Sequence, residues 1–182
     1  SKRFSQGVHS CMGNNPRPNR LVTLDEMQCI QVLLEEDWRS HVGTGHLTGQ
    51  LVVATNAVVY LSGYSGSLRG KEIPKADIGG TSEHRFATVN HRRHPHITLA
   101  LKGRVKGETA DRCHLLPLAI TTASRLRNGL WIQRLLGTLA MKGITMGQLI
   151  RCNRGGRWVR AKIVDLDPRF HDYLRMVKVR WK

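Results

Sequence analysis

Apolar positions in this chain fall into four stripes at helical spacing and one alternating run, with glycine-rich and basic stretches between them. The first stripe is Met27, Ile30, Leu34 and Trp38, one face of a helix. It opens on Thr23-Leu24-Asp25-Glu26, the spacing of a capping box, with Val22 and Met27 placed as a hydrophobic staple. Gly43-Thr44-Gly45 ends it. Glu35, Glu36 and Asp37 make this the acidic helix, and the cluster reads as a solvated face. The second stripe, Leu47, Leu51, Ala54, Val58 and Leu61, steps by four, three, four and three, and Val52, Val53, Val59 and Tyr60 widen it almost all round. Its β-branched content also suits a strand. Length and regular stepping favour a buried helix, after which Gly63, Gly66 and Gly70 loosen the backbone.

From Pro74 to Val89 a short helix and a loop are expected. Ile97, Leu99 and Leu101 then alternate, and Cys113, Leu115 and Leu116 precede Pro117. With Gly103 and Gly107 between them, these predict a β-hairpin over His96–Ala119. Ile132, Leu135, Leu136 and Leu139 predict a third long helix, capped by Thr121 or Thr122 and ending near Gly143. Beyond Gly147 the chain reads as a basic tail, with Arg151, Arg154, Arg157, Arg160 and Lys162 close together. Asp167-Pro168 is a helix start, cap then proline in the first turn, and Phe170, Leu174 and Val177 give that helix its inner face. The fold class expected is mainly α with a small β-hairpin or sheet, α+β. Residues 1–22 form a flexible basic lead-in, and 23–182 one domain.

Charge narrows the partner. Lys and Arg number 29 against 13 acids, a net +16 over 182 residues, which points to a polyanion, most often nucleic acid. Aromatics are only 5%, so base-stacking platforms for single strands are poorly supplied and the duplex backbone is the better fit. No basic amphipathic helix with bulky apolar anchors marks a membrane surface. The Leu47–Leu61 run is too short for a bilayer and carries Gln50, Thr55 and Asn56. Cys11, Cys29, Cys113 and Cys152 are scattered, without the C-x-x-C spacing of a zinc site, and read as reduced structural thiols. His84, His91, His94 and His96 beside Arg85, Arg92 and Arg93 suit a basic loop better than a metal centre. No metal, small-molecule cofactor or membrane partner is expected. An intracellular location is, in the nucleus if the source is eukaryotic.

The stretch Ser67-Leu68-Arg69-Gly70-Lys71-Glu72, directly after the most apolar run, holds an arginine at the end of a buried helix. Such a guanidinium is suited to a phosphate, because its planar fork donates two parallel hydrogen bonds. The stretch resembles the T-G-L-R-x-x-E element of the tyrosine recombinase (phage integrase) family, with Ser67 where the family usually has glycine. Leu101-Lys102-Gly103-Arg104-Val105-Lys106, leading to Leu115-Leu116-Pro117-Leu118, is similar to that family's G-K-G-x-K-x-R-x-x-P-L hairpin. The resemblance covers roughly Thr23 to Lys182 and is nearest to the divergent recombinase-like proteins of eukaryotic mobile elements. It implies DNA strand transfer through a 3′-phosphotyrosine, with two arginines clamping the scissile phosphate and a hairpin lysine protonating the leaving 5′-oxygen. It makes Arg69 the first clamp arginine, Lys102 the general acid with Lys106 in reserve, and Glu72 a supporting acid. Lys106, Arg104, Arg92 and Arg93 are the expected DNA contacts, and further protomers on the DNA the expected company.

One departure weighs against catalysis by these residues alone. No H-x-x-R occurs in the sequence, since His171 is followed by arginine only at Arg175. Tyr173 precedes the place where that motif belongs, so it reads as a packing residue, as does Trp181. The chain as given is therefore not expected to complete the reaction. A non-catalytic, basic nucleic-acid-binding protein, for instance a structural component of a ribonucleoprotein, is the alternative.

Overall fold

The computed structural model describes residues 22–68, 72–89, 92–103, 113–120 and 123–181. Residues 1–21 of the lead-in, Arg69, Arg104, Lys106 and the expected caps Thr121 and Thr122 lie outside them, while Val22 is described and buried.

Helix α1 (Leu24–Gly43) starts where the sequence places it. The Glu26 amide donates to Thr23 Oγ1 at 3.2 Å, and the Thr23 amide donates to Glu26 Oε2 at 3.0 Å, so two orphan donors are satisfied reciprocally. Met27, Ile30, Leu33 and Leu34 are buried. Helix α2 (Leu47–Ala57) continues through a π-helical turn, Val58–Ser62, into a last α turn, Gly63–Ser65. It is buried almost all round, as its apolar width requires, and packs against α1 and α3 (Asn128–Met141). The π turn turns Tyr60 toward the C-terminal helix α4 (Asp167–Arg180). There its hydroxyl donates to the Leu166 carbonyl at 2.9 Å and its ring lies 4.8 Å from that of Phe170.

Strands β1 (Ala76–Val89), β2 (Arg92–Lys102) and β3 (Cys113–Ala119) form an antiparallel sheet in chain order. The hairpin expected over 96–119 is β2 and β3, in register from His96 opposite Ala119 to Lys102 opposite Cys113. Ile97, Leu99 and Leu101 face the core, and α3 covers that side. Segment 76–89 corrects an expectation, because it is a strand rather than a short helix and loop. Gly79-Gly80 reads as a breaker in sequence. In the sheet Gly80 lies so close to β2 that a Cβ there would stand 2.7 Å from that of Ala100, so glycine permits the approach. The other edge of β1 is bonded too, with the Ile78 amide donating to the Gly147 carbonyl and the Leu149 amide to that of Ala76, both at 2.8 Å.

Two further differences concern the C-terminal third. Helix α3 begins at Asn128, several residues later than expected, and its leader is held by glutamines of α1. Gln31 Oε1 accepts from the Arg127 amide at 2.7 Å, and Gln28 Nε2 donates to the Ser124 carbonyl at 2.8 Å. The basic tail contains an unforeseen ribbon, β4 (Arg151–Arg154) and β5 (Arg157–Arg160), closed by Gly155-Gly156 at φ 57° and 82°. Two successive positive φ values define the hairpin turn that matches strand twist. Helix α4 starts at Asp167-Pro168 with the proline in its first turn as predicted, but Leu166 rather than Asp167 holds the cap position, and the helix buries Phe170, Tyr173 and Val177. Trp181 is a correction, 44% exposed with the Arg180 guanidinium 4.8 Å from its ring rather than packed inside.

The acidic cluster of α1 is not a solvated face. Glu35 pairs with Arg134 of α3 at 2.9 Å and Glu36 with Arg180 of α4 at 2.6 Å, while Asp37 Oδ2 accepts from the Tyr173 hydroxyl at 2.6 Å. Three consecutive residues point in three directions around a helix, and here each direction meets a partner. The architecture is α+β. No helix among the described residues is long and apolar enough to cross a membrane.

Candidate functional site

The described residues on either side of 69–71 are well anchored. Helix α2 stops in a Schellman motif: the Leu68 amide donates to the Gly63 carbonyl at 3.1 Å and the Ser67 amide to that of Tyr64 at 3.4 Å. Such an ending needs a left-handed residue one place before the closing amide, and Ser67 occupies it at φ 49°. Leu68, the apolar residue that accompanies the motif, is 7% exposed. The chain resumes at Glu72, whose carbonyl accepts from the Lys75 amide at 2.9 Å across a 3-10 turn, Ile73–Lys75, with Ile73 and Pro74 buried. Leu68 and Ile73 are thus buried apolar anchors flanking this stretch of sequence.

Serine at a left-handed position is strained. A side-chain-bearing residue costs roughly 1–2 kcal/mol there, of which glycine's greater unfolded-state freedom returns about 0.5–1 kcal/mol. Ser67→Gly is expected to stabilise the fold by about 0.5–1 kcal/mol, a rise of roughly 1–4 °C in melting temperature. A midpoint that stays put or falls in thermal unfolding would contradict the geometry at residue 67.

Lys102 is brought to the same end of the sheet. Ala76 pairs with Leu101, and the 3-10 turn that follows Glu72 packs on β2, so the two anchored elements meet where β2 ends. The Lys102 ammonium lies 3.0 Å from Asp77 Oδ1, with the lysine side chain 57% exposed and the aspartate side chain 5%. The same carboxylate oxygen accepts from the Gly79 amide at 2.9 Å. A buried carboxylate thus tethers an accessible cation at the rim of the sheet, and it holds its own position through the bulge that breaks the β1–β2 register after Asp77. Asp77 was not foreseen. Its only trace in the sequence is an acid just before Gly79-Gly80, which reads equally well as a turn residue.

The remaining expected residues separate. Arg92 and Arg93 stand at the start of β2, opposite Val89 and Thr88, about 30 Å along the strand from Lys102 at the usual rise per residue. Their backbone lies at the opposite end of β2 from Lys102. Arg69, Arg104 and Lys106 lie outside the described residues, as noted. Among the described residues no three His, Cys, Asp or Glu side chains converge as a metal site would require.

Tyr173 behaves as a structural residue. It is 4% exposed, and burial, reinforced by its hydrogen bond to Asp37, pushes its phenol far above the usual tyrosine range. A hydroxyl that donates to a carboxylate inside the core is neither ionised nor accessible to a phosphate. Burial likewise raises the thiols of Cys29 and Cys152, with Asp165 adding at Cys152. Neither is an activated nucleophile. No protein-family model, curated protein or solved structure matches the chain.

Proposed function

We propose that this chain is part of a tyrosine-recombinase-type DNA strand-transfer domain, contributing the first clamp arginine, Arg69, and the hairpin lysine, Lys102, and that it binds duplex DNA. The observation that carries the reading is the left-handed Ser67. The resembled motif has glycine at that place, and the backbone there has the conformation that favours glycine. A sequence likeness of six residues thereby acquires a conformational reason. Lys102 supports it as well, because it ends the strand that pairs with the residues following the 3-10 turn after Glu72.

On this reading Arg69 donates to the non-bridging oxygens of a backbone phosphate, and Lys102, released from Asp77, approaches the leaving oxygen as proton donor. Glu72 serves as the supporting acid of the motif. Binding and clamping are the activities these residues carry. The second arginine and the nucleophile have no counterpart that matches the family's motif in this sequence.

The test is duplex affinity measured by fluorescence anisotropy for the full chain, Arg69→Ala, Lys102→Ala and a charge-matched control, Arg39→Ala on exposed α1 surface. Arg69→Ala is expected to lose tenfold or more, about 1.4 kcal/mol, and the control threefold or less. Equal losses at Arg69 and Arg39 would overturn the clamp and leave a basic protein that binds nucleic acid through its overall charge.

A further inference from the structure

The arginines of the β4–β5 ribbon are arranged against the interest of the fold. Arg151 is directly opposite Arg160, and Arg154 opposite Arg157. Like charges facing each other across two strands are destabilising. From Arg151 to Lys162 there are five cations and no acid. Internal bonds account for two of them. Arg151 donates to the carbonyls of Gln148 at 2.7 Å and Met146 at 3.1 Å, and Arg154 grips both oxygens of Asp165 at 2.9 and 2.8 Å. Arg157 and Arg160 are exposed and have no carboxylate partner among the described residues.

The mount is stiff. Leu149, Ile150 and Ala161 at its base are buried, and the Ala161 amide donates to the Ile150 carbonyl at 3.1 Å. At the tip, a Cβ on Gly155 or Gly156 would meet nothing within 4 Å, so the turn stands clear of the body. Side chains alternate along a strand, so Arg157 and Arg160, three apart, leave opposite faces of the ribbon. Two cations on opposite faces of a protruding ribbon fit the two phosphate strands that wall a major groove about 12 Å wide, which admits a two-stranded ribbon.

We infer that the β4–β5 ribbon is a second duplex-contacting element, in which Arg157 and Arg160 take phosphates on either side of a groove. This rests on the duplex-binding reading above. The glycine tip then has a purpose beyond its turn geometry, since it is the narrowest end a ribbon can present to a groove floor. The repelling arginine pairs are relieved when phosphates neutralise them.

The experiment uses the full chain and a mixed-sequence DNA duplex of about 30 base pairs, three helical turns. Affinity is measured over a range of salt for the wild type, for Arg157→Ala/Arg160→Ala, and for Arg39→Ala/Lys178→Ala, which removes equal charge from exposed helix surface. Losing two phosphate contacts is expected to flatten the log–log salt slope by about 1.8 and to weaken binding by on the order of tenfold or more at physiological salt. The control pair should leave the slope within about half a unit of wild type. Equal slopes and equal losses in the two double variants, with the wild type binding well, would overturn the ribbon and spare the duplex reading. A wild type that binds no duplex would remove both. Circular dichroism of the ribbon variant should match wild type, since both side chains are outside the core.

Discussion

Replacing Trp131 by alanine is expected to lower the melting temperature by about 6–20 °C. The side chain is fully buried, 0% exposed, and is among the largest such in the core. It meets Trp38 of α1 edge-on at 5.9 Å between centroids, and the Arg134 guanidinium lies 4.5 Å from its ring. Truncation would open a cavity where α1 and α3 meet, and these rigid helices cannot close over it. Aromatic-to-alanine changes of this kind cost about 3–5 kcal/mol, and each kcal/mol moves the midpoint of a domain this size by about 2–4 °C. Trp131→Phe separates packing from polarity. The indole N–H has no acceptor among the described residues, so its removal forfeits no hydrogen bond and leaves only the smaller volume change, about 1–2 kcal/mol. Thermal melts of the two variants check the argument. A loss below about 3 °C for Trp131→Ala would mean that this packing is far looser than described.

Much of this fold was legible because its helices obey local rules. Thr23 and Glu26 announce the start of α1, because a cap is decided by side chains within one turn, and Pro168 announces that of α4, because proline suits a first helical turn. The β2–β3 hairpin was legible because Ile97, Leu99 and Leu101 alternate over a one-sided core. Strand β1 was not, because its strand character comes from its neighbours on both edges, β2 and residues 147–149, rather than from its own pattern. The β4–β5 ribbon was obscured by charge. Its Gly155-Gly156 pair between two short runs is a hairpin signal, yet four arginines in ten residues read first as a solvated tail. At the candidate site, Arg69 and Lys102 are singled out by an arginine's place after a buried helix and by the resemblance, and Arg69 lies outside the described residues. Asp77 was invisible, since a carboxylate that holds a lysine across a sheet leaves no spacing in the sequence.

The acidic cluster of α1 illustrates the same limit and supplies the second large effect. Glu35→Ala is expected to cost about 2–3 kcal/mol, somewhat less than the roughly 3–5 kcal/mol of breaking a fully buried pair, because both partners keep some solvent. The glutamate side chain is 13% exposed and its partner Arg134 21%. Without Glu35, the guanidinium stays over the Trp131 and Trp38 rings, at 4.5 and 5.1 Å, with its charge uncompensated. Removing both ends should therefore be milder than the sum, and Glu35→Ala/Arg134→Met should recover about 1–2 kcal/mol as a coupling energy. The neighbouring pair provides the contrast. Glu36 and Arg180 are 45% and 50% exposed, so solvent screens them and Glu36→Ala should cost clearly less than Glu35→Ala despite the shorter contact. If urea unfolding gives Glu35→Ala and Glu36→Ala equal losses, burial does not set the strength of these pairs. If the ranking holds, the acids of α1 serve to clamp α3 and α4 around the central helix. That helix carries the Arg69 segment at its end, so the clamp acts on the candidate site through position rather than through proton transfer.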